Sequence, residues 1–153
     1  MPSPAARDGG GRMSPAEAAA AAALVWFGMV VAISFMEAPL KFRAPGITVP
    51  LGLGIGRIVF GALNIAEAVL AAGAAAGLAL AGTWSAGPAW LAAAIAVLVV
   101  QLAAVRPLLR RRSAEVLAGN TSDRRSRVHL VYVGFEAVKA TALLVGALLL
   151  LTT

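Results

Sequence analysis

The sequence contains no cysteine and a single histidine, His129. The first absence excludes disulfides, thiolate nucleophiles and cysteine-ligated zinc or iron-sulfur sites, and the second leaves too few imidazoles for a multi-histidine metal centre. Charge is scarce as well, because 13% of the residues are charged against about 25% in ordinary soluble domains. We therefore predict no cofactor and no metal site, and we exclude both a soluble globule and an intrinsically disordered chain.

Apolar residues fill the space that charge leaves, making up 60% of the 153 residues at a mean hydropathy of +0.86. They fall into four stretches of about 20 residues, the length that an α-helix needs to cross a bilayer. The sequence therefore predicts an all-α fold, an antiparallel bundle of four transmembrane helices. The predicted parts are a disordered tail at 1–13 and a membrane domain at 14–153 with helices near 18–38, 58–81, 89–105 and 128–151.

The start of the first helix is predicted from a capping box. Ser14 supplies the N-cap hydroxyl, Pro15 the first helical residue and Glu17 the N3 carboxylate. Pro39 and then Pro45 predict its end. A cleaved signal peptide is the alternative, because arginines precede the apolar run, but the run is long and lacks a small-x-small cleavage site.

Two further features describe the connections and contacts of the helices. Residues 41–50 are predicted as a short loop at the membrane surface, and 106–127 as the one substantial hydrophilic loop. Gly73 and Gly77 form a small-xxx-small face on which another helix can approach closely, within the chain or in a homo-oligomer. Gln101 is the only strongly polar residue of the third helix.

Basic residues indicate the orientation of the bundle. The amino-terminal tail holds only Arg7 and Arg12 on its side of the membrane, whereas the two loops on the opposite side hold nine basic residues. These nine are Lys41, Arg43, Arg106, Arg110, Arg111, Arg112, Arg124, Arg125 and Arg127. The positive-inside rule therefore predicts cytoplasmic basic loops and both termini outside.

The composition of these loops predicts their partners and the membrane. The arginine run lacks interleaved aromatic residues, so anionic lipid headgroups are the predicted partners and nucleic acid is not. The bias towards alanine, glycine and arginine is typical of a high-GC bacterium. We therefore predict a multi-pass protein of a bacterial inner (plasma) membrane.

Polar residues inside the predicted helices are the functional signal, since each ionisable group costs about 2.5 to 3.5 kcal/mol at the centre of a membrane helix. They recur at steps of three, four or seven residues, which places each set on one helical face. The candidate cluster comprises Glu37 and Lys41 in the first helix, with Ser34 on their face, Arg57, Asn64 and Glu67 in the second, and His129, Tyr132, Glu136 and Lys139 in the fourth. At about 1.5 Å per residue, Glu67, Glu136 and Lys139 lie roughly 12 to 17 Å from the cytoplasmic ends. We predict a polar pocket that opens to the cytoplasm and is closed by apolar helix at the far end.

Two interpretations of this pocket stay open. In one, the three glutamates balance the two lysines and Arg57 in an ion-paired network that only fixes helix packing. In the other, Glu67 or Glu136 binds a proton or a cationic or polar solute in a small transporter-like bundle, and His129 relays protons. Apolar replacements of buried ion pairs are often neutral or stabilising, so stability alone explains these charges poorly.

Two other classes of function are the alternatives. A membrane-embedded enzyme acting on a lipid or an isoprenoid would use Glu136 or His129 as acid or base and Lys139 or Arg57 to hold an anionic headgroup. A structural or accessory subunit of a membrane complex would need none of these groups. The sequence alone assigns no catalytic residue.

Two segments carry a resemblance to a known family. They are the run from Ser34 to Phe42 followed by Pro45, Gly56 to Phe60, Asn64 and Glu67, and the set Arg106-Pro107, Arg112, Gly119 and His129 to Lys139. The chain resembles, over almost all of its length beyond the tail, a domain-of-unknown-function family of small bacterial four-span integral membrane proteins. This family is distantly similar to the domain of a eukaryotic transmembrane protein associated with platinum-drug resistance. The resemblance implies a four-helix fold and transfers no catalytic residue, and the lack of cysteine weighs against soft-metal handling.

Overall fold

A computed structural model of the chain describes residues 13–82, 85–118 and 127–152. Every regular element in these ranges is helical, which confirms the all-α prediction. Four helical stretches are long and apolar enough to cross a membrane, and we call them spans 1 to 4: Pro15–Arg43, Val49–Ala81, Ala86–Arg111 and Leu130–Leu151. The predicted tail lies outside the described residues, except for Met13.

Span 1 begins at the predicted capping box. The Glu17 backbone N–H donates to the Ser14 hydroxyl at 3.2 Å, and the Ser14 backbone N–H donates to the Glu17 carboxylate at 2.7 Å. Two orphan N–H groups of the first turn are thereby satisfied. Four consecutive segments build this span: helix α1 (Pro15–Val30), a π-helical segment (Val31–Glu37), helix α2 (Ala38–Leu40) and a 3₁₀ turn (Lys41–Arg43).

The expected end of the first helix at Pro39 is wrong, because the helix continues through the proline. Proline lacks a donor N–H, and its ring collides with the carbonyl four residues earlier. A wider π turn lies just before each proline that follows the first turn of a span, at Val31–Glu37 before Pro39 and at Gln101–Val105 before Pro107. Such turns relieve the collision without ending the helix.

The remaining helices also differ from their expected bounds. Helix α3 (Val49–Ala81) is capped at its start by Thr48, whose hydroxyl accepts the Leu51 N–H at 3.3 Å, and at its end by Gly82 with a φ of 64°. The connection between spans 1 and 2 is therefore shorter than the predicted loop 41–50. The other helices are α4 (Ala86–Val100), α5 (Arg106–Leu117) and α6 (Arg127–Leu151). Helix α5 occupies the first half of the segment that was expected to be a hydrophilic loop.

Spans 1 and 4 form the centre of an antiparallel bundle. Span 2 packs on span 1 and span 3 on span 4, whereas spans 2 and 3 touch each other little. Gly77 permits the close approach of spans 1 and 2, because a Cβ there would lie 2.9 Å from the Pro15 carbonyl oxygen and 3.0 Å from the Ala19 Cβ. Gly73 is exposed and has no such neighbour within 4 Å. Of the predicted glycine pair, Gly77 is therefore used inside the chain.

One end of the bundle is dry and closely packed. Its buried residues are mostly alanines with a few larger apolar side chains, and they come from all four spans. They are Ala19, Ala20, Ala23, Trp26, Val30, Ala71, Ala74, Leu91, Ala94, Leu98, Ala140, Ala142, Leu143, Ala147 and Leu150. Large apolar side chains such as Ile58, Ile65 and Leu80 face outward, as expected of a multi-pass membrane protein.

Candidate functional site

A buried lysine lies at the centre of the bundle. The Lys139 ammonium group donates to Glu136 Oε1 and Gln101 Oε1, both at 2.9 Å, and forms a third contact with Glu67 Oε1. All four side chains are at most 2% exposed. An ammonium group has three N–H donors, and each of them has an acceptor here. We call Glu67, Gln101, Glu136 and Lys139 the Glu–Lys cluster.

Gln101 holds the two ends of this cluster together from span 3. Its amide oxygen accepts from Lys139, and its amide nitrogen donates to Glu136 Oε1 at 2.8 Å. Gln101 comes directly after the last residue of helix α4 and is the first residue of a π-helical segment. The sequence marks Gln101 as polar but does not place it in the site, because a lone polar residue has no periodic partner.

Two further side chains enclose the cluster from opposite directions along span 1. The Trp26 indole N–H donates to Glu67 Oε1 at 2.9 Å on the side of the dry end, and the Ser34 hydroxyl donates to Glu136 Oε2 at 3.1 Å on the other side. Ser34 shares a face with Glu37 and Lys41, as its spacing predicts. Trp26 has no comparable signal, because a tryptophan in an apolar run is indistinguishable from ordinary core.

The charges of the cluster do not balance. Two carboxylates face one ammonium group, so the formal charge is −1 when every group is ionised. The single network of three glutamates and three cations that one of the two interpretations predicts is not formed. Lys41 pairs with Glu37 at 3.3 Å, and Arg57 makes no ion pair with any described residue.

One oxygen of the cluster is left over. Both donors to Glu67, the Trp26 indole and the Lys139 ammonium, converge on Oε1. Within the described part of the chain, Oε2 of Glu67 accepts no hydrogen bond. A carboxylate can accept at both oxygens, so Oε2 is the less engaged of the two Glu67 oxygens.

A pocket of about 590 Å³ lies between the cluster and the basic end of the bundle. All four spans contribute to its wall, and Ser34 belongs both to this wall and to the hydrogen bonds of Glu136. The polar lining residues are Ser34, Lys41, Arg57, Asn64, Arg106, Arg110 and Tyr132. A pocket is therefore present at the end where the sequence predicts one, but Glu67, Glu136 and Lys139 do not line it, and Ser34 connects it to the Glu–Lys cluster.

Aromatic packing and backbone hydrogen bonding hold the inner polar residues of the pocket. The Tyr132 ring meets the Phe60 ring edge to face, with centroids 5.6 Å apart at 87°. The Asn64 amide donates to the Phe60 carbonyl oxygen at 2.6 Å. The Tyr132 hydroxyl is buried near Ser34 and Glu136, without a hydrogen bond of ordinary geometry to any described residue.

The candidate residues thus divide into two groups. Glu67, Glu136 and Lys139 meet in the cluster, whereas Lys41, Arg57, Asn64 and Tyr132 line the pocket. Glu37 does not line the pocket, but it forms an ion pair with Lys41, which does. The His129 side chain lies outside what the structure describes. Among the described residues, no group of three or more His, Cys, Asp or Glu side chains could hold a metal ion.

No protein-family model, curated protein or solved structure matches this chain. The resemblance to the bacterial four-span family, and through it to the platinum-resistance domain, therefore stays a prediction.

Proposed function

We propose that this chain is an inner-membrane protein that binds a proton at the Glu–Lys cluster as part of a small transporter-like mechanism. The observation that carries the proposal is the unbalanced charge of two buried carboxylates against one lysine. An uncompensated charge in a low-dielectric interior is costly. One proton would make the cluster neutral and would need no additional space.

The bonding pattern favours Glu67 as the carboxylate that takes the proton. Glu136 accepts at both oxygens, from Lys139, Gln101 and Ser34. Glu67 accepts only at Oε1, so a proton on Oε2 would break none of the existing hydrogen bonds.

Access to the cluster is one-sided. The pocket reaches Glu136 through Ser34, whereas Trp26 and the alanine-rich core close the opposite side. A carrier that is open to one side of the membrane at a time has this asymmetry. By the positive-inside rule the open side is the cytoplasm, because the pocket lies at the end that holds the basic residues.

The enzyme alternative receives less support from the geometry. Its scheme uses Lys139 or Arg57 to hold an anionic headgroup. All three donors of Lys139 are occupied by acceptors of the protein, and Arg57 lines the pocket but lies outside the cluster that holds Glu136. A purely structural network is also a poorer explanation, since an unbalanced buried cluster is a costly way to fix helix packing.

Proton flux in liposomes tests the proposal. The purified chain would be reconstituted with a pH-sensitive dye inside the vesicles, and a potassium diffusion potential would drive protons inward. We expect flux in the parent and in Glu115→Gln, whose carboxylate is exposed on α5, and at least a tenfold loss in Glu67→Gln. A parent without flux, or a Glu67→Gln variant as active as Glu115→Gln, would overturn the transport proposal.

Infrared difference spectroscopy tests proton binding separately from transport. The parent and Glu115→Gln should show the carbonyl band of a protonated carboxylic acid that disappears as the pH is raised, and Glu67→Gln should lack it. Gln keeps the size of the side chain and an oxygen that can accept from Trp26. A band that persists unchanged in Glu67→Gln would exclude Glu67 as the proton site.

A further inference from the structure

The pocket next to the Glu–Lys cluster carries an excess of positive charge that the proposed proton site does not use. Lys41, Arg57, Arg106 and Arg110 line it, and no carboxylate does so in the described ranges. Glu37 neutralises Lys41 in part, but none of the three arginines forms an ion pair with a described residue. Three guanidinium groups without an ion-pair partner among the described residues therefore border one cavity.

The cations reach this cavity from three spans. Arg106 and Arg110 are one turn apart near the end of span 3, and so lie on the same helical face. A Cβ at Gly61 of span 2 would lie 3.9 Å from Nη2 of Arg106, so this guanidinium crosses the weakly packed seam between spans 2 and 3. The Lys41 ammonium lies 5.5 Å from the Phe60 ring centroid, held from span 1.

Apolar side chains form the remainder of the wall. Phe35, Leu53, Ile58, Leu109 and Val133 are among them. Ile58 is 76% exposed, so the apolar wall continues onto the outer surface that would contact acyl chains. The volume of about 590 Å³ is within the range of small-molecule sites, roughly 300 to 1,000 Å³.

We infer that this pocket binds a phosphate-headed amphiphile, with the phosphate among the arginines and the hydrocarbon chain along the apolar wall. Guanidinium groups match phosphate oxygens in pairs of parallel hydrogen bonds. A phosphate monoester carries a charge of about −1.5 to −2 at neutral pH, which three arginines can neutralise. The Tyr132 side chain lies on the inner wall of the same pocket.

This inference names the substrate class of the transporter proposed above, and as a statement about transport it rests on that function. Binding itself is independent of proton transfer, because the three arginines lie outside the Glu–Lys cluster. A Glu67→Gln variant should therefore bind the amphiphile as the parent does. Failure of binding and failure of proton coupling can in this way be told apart.

Equilibrium binding of radiolabelled dodecyl phosphate to the full chain in phosphatidylcholine nanodiscs tests the inference, with empty nanodiscs subtracted. We expect saturable binding that weakens about tenfold in each of Arg57→Gln, Arg106→Gln and Arg110→Gln, the loss of roughly one charge-assisted hydrogen bond. Arg111→Gln is the matched control, since Arg111 is an exposed neighbour of Arg110 that does not line the pocket. It removes the same charge and should change affinity less than twofold.

Competing probes identify which part of the ligand is recognised. Unlabelled dodecyl phosphate should displace the label, whereas inorganic phosphate and dodecyltrimethylammonium at the same concentration should not. If inorganic phosphate displaced the label as well as dodecyl phosphate does, binding of an amphiphile would be refuted and the pocket would be a simple anion site. Equal displacement by the cationic amphiphile, or an Arg111→Gln loss as large as that of Arg110→Gln, would refute the pocket as a phosphate site.

A charge-retaining variant guards against misfolding. Arg57→Lys keeps the positive charge but loses the planar pair of donors, so its affinity should lie between those of the parent and Arg57→Gln. An Arg57→Lys variant that is correctly folded, as judged by its unfolding midpoint, and binds with parental affinity would refute paired recognition by Arg57.

Discussion

Removal of the Lys139 ammonium is the sharpest test of how the bundle holds its buried carboxylates. In Lys139→Met the side chain keeps much of its length and apolar volume but loses three donors. Glu67 and Glu136 would then face each other across the bundle interior without a cation, and Gln101 would lose the donor to its amide oxygen.

The expected cost follows from this geometry. Both carboxylates are at most 1% exposed, so water cannot replace the lost partner. Breaking a buried ion pair by removing one member costs about 3 to 5 kcal/mol. The matched control is Lys41→Met, because Lys41 pairs with a Glu37 side chain that is 31% exposed, and pairs open to solvent contribute about 1 kcal/mol or less.

The free energy of unfolding can be measured by titrating sodium dodecyl sulfate into mild-detergent micelles and following tryptophan fluorescence. Lys139→Met should lose about 3 to 5 kcal/mol and Lys41→Met about 1 kcal/mol or less. Combining Lys139→Met with Glu67→Gln and Glu136→Gln should restore most of the loss, since no buried charge would remain. Equal losses in the two lysine variants, or a combined variant no more stable than Lys139→Met, would refute the reasoning.

The same titration checks two further predictions. Gly77→Leu should lose about 1 to 3 kcal/mol or more by overpacking span 1 against span 2, whereas Gly73→Leu, with open space around it, should be neutral or stabilising; equal effects would contradict the assigned close approach. Ser14→Ala should lose about 1 kcal/mol, because its hydroxyl no longer accepts the Glu17 N–H. Ser85→Ala, whose side chain caps nothing, should lose about 0.5 kcal/mol or less; a larger loss at Ser85 would contradict the capping assignment.

The sequence predicts the four helices and the central charges for the same physical reason. A bilayer penalises polar groups so strongly that Glu67, Glu136 and Lys139 are conspicuous in apolar runs, and helical spacing then places them on inward faces. The capping box at Ser14 is equally local, because its partners are three residues apart. Features that depend on a few neighbouring residues, or on a large energetic cost, can therefore be predicted from the sequence without knowledge of the tertiary structure.

The parts that escape prediction depend on neighbouring spans. Taken alone, Pro39 and Pro107 each predict the end of a helix. In the folded chain the helix continues past both of them, because a π turn precedes each proline and the neighbouring spans stabilise the helix. Arg57 shares a face with Glu67 but lies ten residues away, about 15 Å along the helix, too far for an ion pair. From the sequence, Arg106 indicates only the orientation of the bundle. In the structure it lines the pocket, because span 3 stays helical through Arg106 and Pro107.

Alanine at the dry end limits how this protein could ever conduct anything to its other side. Ala19, Ala23, Ala74, Ala94 and Ala147 are completely buried there, and a methyl group has no alternative rotamer that swings aside. Side-chain fluctuations in picoseconds to nanoseconds are therefore restricted to the few larger residues of this end and do not open a continuous path. Such a path requires whole helices to separate, a collective displacement that belongs to microseconds or milliseconds, and this slowness would set the upper limit on any turnover.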